Sequence, residues 1–141
     1  MIEQEYGEIT LSNAFHRNLE KLLRNHSIPI DTSKLVINCR ALNYYRDQQG
    51  AHPVEIQLKK ENEKWRVIFI ASFSYPSEQH SSVEVELYFH LINNWFYQPD
   101  AGGRCNLNHP QVKALFTTWI SAFCQQLTSR RFDDISITLI Q

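Results

Sequence analysis

The chain has 141 residues, a length that suits one domain able to bury roughly 70% of the surface its unfolded form exposes. Fourteen Lys and Arg stand against fifteen Asp and Glu, a formal net charge of -1. No long-range field of either sign gathers phosphates or anionic lipid, so nucleic-acid binding would need a local patch. Ser12 opens a first helix as its N-cap, with Phe15, Leu19, Leu22 and Leu23 on one stripe. Ile28-Pro29 ends it. Residues 34–43 form a strand in which Leu35, Ile37, Cys39 and Ala41 alternate with Val36, Asn38 and Arg40, and residues 44–51 form a polar connection.

Residues 52–75 predict a hairpin. Val54, Ile56 and Leu58 alternate with Glu55, Gln57 and Lys59; after the charged turn Glu61-Asn62-Glu63-Lys64 the alternation resumes at Trp65, Val67, Phe69, Ala71, Phe73 and Tyr75. Residues 76–81 turn the chain into a fourth strand, with Val83, Val85, Leu87, Phe89 and Leu91 on one side and Glu84, Glu86, Tyr88, His90 and Ile92 on the other. Asn93-Asn94 allows a reversal into a short edge strand at residues 95–98. Residues 99–107, with Gly102 and Gly103, read as an irregular loop. Asn108 then caps a helix that has Pro110 in its first turn and Val112, Leu115, Phe116, Trp119, Ile120, Phe123 and Leu127 along a broad apolar face. Ile135, Ile137 and Leu139 mark a last strand.

This order, α-β-β-β-β-(β)-α-β, predicts a single α+β domain over residues 1–141: an antiparallel meander of four to six strands with two helices, the last strand beside the first. Centring the hairpin on its charged turn sets Val54 opposite Ala71, Ile56 opposite Phe69 and Leu58 opposite Val67. Phe69 then belongs to the core, with Leu87 and Phe89, against Phe15, Leu19, Leu115, Trp119 and Phe123. Ile68, Ile70, Tyr88 and Ile92 fall on the outer face as a candidate interface. Either the second helix or a second subunit is expected to cover them.

Several of these residues resemble a known family. His52-Pro53-Val54-Glu55-Ile56, Trp65 with residues 68–70, Phe73-Ser74-Tyr75, the aromatic-rich helix and Phe132-Asp133-Asp134-Ile135 together resemble an uncharacterised family of small gammaproteobacterial proteins, known as a domain of unknown function. The resemblance spans residues 37–139 and implies an α+β bacterial cytosolic domain without implying an activity. Two positions depart from the family pattern. Ser72 stands where the family has an aspartate, and Leu87-Tyr88-Phe89-His90 stands where it has a Phe-rich acidic strand.

Candidate chemistry is sparse. Cys39, Cys105 and Cys124 are odd in number, far apart and without a Cys-x-x-Cys, which predicts reduced thiols. Glu3, Glu5 and Glu8 replace the basic and apolar start of a signal or transit peptide, so the expected location is cytoplasmic. The longest apolar run, residues 67–71, is far short of the ~18 residues of a membrane span. No His or Cys pair has zinc-site spacing, so no metal and no cofactor is expected. The one trio for nucleophilic chemistry is Cys105 with His109 and Asp100, where a glycine loop meets a helix N-terminus; Arg104 beside Gly102-Gly103 could instead hold an anion. Trp, Tyr and Phe total seventeen, yet most occupy core-facing positions and no RNA-recognition signature is present. The sequence favours a non-enzymatic module that binds a protein partner or a second copy of itself, over a small-molecule pocket or an enzyme centred on residues 99–109. Nucleic acid and membrane are not expected partners.

Overall fold

The computed structural model describes residues 1–99 and 103–140. Asp100 and Gly102, both named above for the loop site, lie outside the described residues. A seven-stranded antiparallel sheet is built from β3 (Lys34–Arg40), β4 (Val54–Glu61), β5 (Lys64–Ser74), β6 (Glu84–His90), β7 (Trp95–Gln98), β8 (Gly103–Asn106) and β9 (Asp134–Ile140). Its order is β8-β7-β6-β5-β4-β3-β9. The strands from β3 to β8 follow one another as a meander, and β9 returns to pair with β3, Ile37 opposite Ile137. Ahead of the sheet, β1 (Glu5–Tyr6) and β2 (Ile9–Thr10) make a small hairpin, followed by α1 (Asn13–Arg24). A short α2 (Leu42–Asp47) and the long α3 (Pro110–Thr128) complete the chain.

The caps follow from local chemistry. Ser12 Oγ accepts the Phe15 N–H at 3.2 Å and so satisfies a free amide of the first turn of α1. In α3 the cap is His109, one residue later than expected, its Nδ1 accepting the Gln111 N–H with Pro110 at the first helical position. Three elements lie where a loop, a polar connection or nothing was expected: β8, α2 and the β1–β2 hairpin.

Both long helices lie on one face of the sheet. Phe15 of α1 meets Phe123 of α3 edge-on at 6.0 Å, and Phe89 of β6 meets Phe116 at 5.0 Å. Leu35, Ile37, Ile56, Leu58, Val67, Ile70 and Phe89 fill the layer between them. α3 therefore does not cover the outer face, and Trp119 packs against Phe89. The N-terminal segment closes one end of this core: Ile2 bridges Trp65, and the Tyr6 hydroxyl donates to the Glu3 carbonyl and accepts the Val67 N–H.

The register of the β4–β5 hairpin corrects the expected one. Leu58 does face Val67, but Gln57 faces Phe69, Ile56 faces Ile70 and Val54 faces Ser72. Ile68 is an extra residue, a β-bulge that reverses the side-chain parity along β5. Ile70 is consequently a core residue, 0% exposed, and Phe69 takes its place on the outer face. A second irregularity, between Ser72 and Phe73, leaves Glu86 of β6 as the unpaired residue.

Candidate functional site

The outer face of the sheet carries a row of aromatic side chains. β5 sets Phe69 there because of its bulge; β6 supplies Tyr88 and His90, which alternate with the buried Phe89; β7 supplies Trp95 and Tyr97, which alternate with the buried Phe96. Phe69 stacks on Tyr88 at 4.8 Å and Tyr88 on Trp95 at 5.0 Å, with interplanar angles of 24° and 23°. His90 lies nearly parallel to Trp95 at 5.1 Å. The Arg104 guanidinium of β8 sits 4.2 Å from the Trp95 ring centroid, within cation–π range. All but Arg104 are half-buried. The row is held by its own contacts, with Tyr88 and Trp95 stacked between their neighbours.

His90 is fixed electrostatically as well as sterically. Burial and then the nearby positive Arg104 lower its pKa below 6.5. Its Nδ1 accepts the Asn93 N–H at 3.2 Å, so the neutral ring is the form that fits this row.

A second cluster lies where β4, β5 and β6 meet α2 and α3. His52 Nδ1 is 2.8 Å from Glu86 Oε2, and Ser72 Oγ donates to the same oxygen at 2.5 Å. Burial opposes ionisation of Glu86, but hydrogen bonds from His52 and Ser72 outweigh it and lower the carboxyl pKa. A cleft of about 280 Å³ borders the cluster, lined by His52, Ser72, Glu86 and Trp119 among others. A hydrolytic triad needs the imidazole between acid and hydroxyl. Here the carboxylate lies between them, so Ser72 gains no base from His52. The arrangement is a hydrogen-bonded clasp joining the start of β4 to β6, not a nucleophile site.

The family follows from a match over residues 13–138 to a model described as "Protein of unknown function (DUF2787)". The chain belongs to the DUF2787 family. The matched span runs from α1 into β9, and so contains strands β3 to β8, most of β9 and both clusters. Two solved structures with similar folds come from Vibrio cholerae. The hypothetical protein VC0508 of the VSP-II pathogenicity island is 26% identical, with a TM-score of 0.77 over 90% of this chain and 92% of that one. The conserved hypothetical protein VC1805 of pathogenicity island VPI-2, from Vibrio cholerae O1 biovar eltor, is also 26% identical, with a TM-score of 0.81 over 98% of this chain and 100% of that one. VC1805 is described as sharing structural homology with the human P32 protein. No match was found among curated protein sequences.

Within this DUF2787 fold the residues singled out from the sequence separate. Arg104 joins the aromatic row. Cys105, its neighbour on β8, is exposed and opposes Phe96 in the register that faces the helices; His109 is engaged as the α3 cap. Of the candidate interface, Tyr88 lies in the row, Ile68 is the half-buried bulge residue, Ile92 lies in the turn between β6 and β7, and Ile70 is in the core. Phe69, Trp95 and Tyr97 were missing from that interface. Trp95 and Tyr97 carried a legible signal, since each alternates with Phe96 on an expected strand. The His52–Glu86 clasp had none, because it depends on a bulge. No helix among the described residues is long and apolar enough to cross a membrane.

Proposed function

We propose that this domain is a non-enzymatic binding module whose working surface is the open aromatic face of the sheet, and that its ligand is a protein. The stacked row of Phe69, Tyr88, Trp95 and His90, capped by Arg104 on the face away from both long helices, carries this reading. Aromatic and Arg side chains ordered before contact lose little entropy on binding and are enriched at interface hot spots. A nucleobase platform would need free ring faces beside basic residues. The faces of Tyr88 and Trp95 are occupied by their neighbours, which favours a protein surface.

Site-specific photocrosslinking in cells tests the proposal. A benzophenone amino acid replacing Tyr97, on the row, is expected to give a discrete protein adduct that weakens when Trp95→Ala is added. The same group replacing Thr117, on the exposed side of α3, is expected to give none. Adducts only from the Thr117 position, or a nucleic-acid adduct from the Tyr97 position, would reject this face as a protein-binding surface.

A further inference from the structure

The two edges of the sheet differ in kind. β8 is a four-residue edge bearing Arg104, short and charged in the way that natural sheets discourage strand addition. β9 runs beside β3 through seven consecutive pairs without a register shift. Its sequence, DISITLI, holds a single charge, Asp134, at its start, and neither lysine nor proline. Among the described residues no strand pairs with its other side. Exposed apolar side chains gather at both ends of this edge. Leu139 is 36% and Ile30 86% exposed, and the residues flanking Ile30 line one cleft with Leu139 and Ile140. At the other end Leu42 is 54% exposed, its N–H held by Asp133.

We infer that β9 is a homodimer edge, at which two copies of the chain pair antiparallel about a two-fold axis through Ile137. The occupant is a second copy because the strand is complementary to itself in that register. Ile135 meets Leu139 of the second copy on the side facing the helices, and Ser136 meets Thr138 on the open side. Asp134, already beside Arg40 at 3.8 Å, meets Ile140 and no carboxylate. The Leu42 end of one copy meets the Ile30 end of the other, which covers apolar surface at both ends. Pairing satisfies the outward backbone groups of both strands and joins the sheets into one. The axis is perpendicular to the sheet, so both aromatic rows face the same way. The inference does not depend on what those rows bind.

Light scattering on the intact chain tests it with two double substitutions. S136K/T138K places lysines opposite lysines across the axis; S136E/T138K places a carboxylate opposite each lysine. The wild type and S136E/T138K are expected to show the mass of two chains, and S136K/T138K the mass of one with unchanged circular dichroism. Should S136K/T138K fail to fold, amide exchange of the wild type decides: protection along β9 should fall on dilution. A wild type of one-chain mass overturns the inference. So do a dimeric S136K/T138K, loss of the dimer in both folded variants, and β9 protection that ignores concentration. A Trp95→Ala variant should keep the two-chain mass, which separates this result from the fate of the aromatic face.

Discussion

Two adjacent side chains, Phe69 and Ile70, show how little separates surface from core in this domain. Ile70 is enclosed between sheet and helices, so Ile70→Ala is expected to cost about 2 to 5 kcal/mol in urea denaturation. Phe69→Ala loses a stacked neighbour and partial burial, about 1 to 2 kcal/mol. An equal cost for the two would contradict the bulge. Glu86 makes a second prediction. Its pKa is depressed in the fold, so the stability it contributes is fully present above its unfolded value near 4.5 and is lost as pH falls through the lower folded value. Glu86→Gln should therefore be clearly less stable than the wild type at neutral pH, and the two should converge in acid. A stability gap that stays constant down to the acid limit would detach the effect from ionisation.

The elements that were legible in the sequence are those with one unambiguous period. α1 shows its cap and stripe, and β3, β4, β6 and β9 largely alternate apolar with polar residues, while β7 shows as a short aromatic run after the Asn93-Asn94 reversal. β5 was legible as a strand and illegible in register, because residues 67–71 are apolar at odd and even positions alike. With Val67 and Phe69 on one parity and Ile68 and Ile70 on the other, alternation cannot choose a face. β8 carries Arg, Cys and Asn and has no apolar row to announce it, while β1 and β2 are two residues each and too short for a period to register. Deleting Ile68 provides the test at this scale. It removes the bulge and forces one part of β5 to exchange its faces, and the domain is expected to unfold at ambient temperature. Ile68→Gly keeps the spacing and should still give a cooperative melt, at a reduced temperature.

At the scale of the whole molecule, the first eleven residues belong to the same core as the sheet although the family match begins at residue 13. Ile2, Tyr6, Ile9 and Leu11 are all buried. At about 1.5 to 3 kcal/mol for each large apolar side chain, they account for a sum similar to the 5 to 15 kcal/mol that typically separates folded from unfolded domains. A chain lacking residues 1–11 is expected to lose its cooperative thermal transition, as read by circular dichroism; an intact transition near the wild-type temperature would make the hairpin an accessory. The pairing of β3 with β9 has a different kind of consequence, one of timing. Every other strand pair in the sheet joins neighbours along the chain and closes quickly, but Lys34 must wait for Ile140 and pay the entropy of the longest loop. During synthesis the meander is complete while its β3 edge still lacks a neighbour, and in that interval β3 is the strand most open to capture by a chaperone or by another nascent chain.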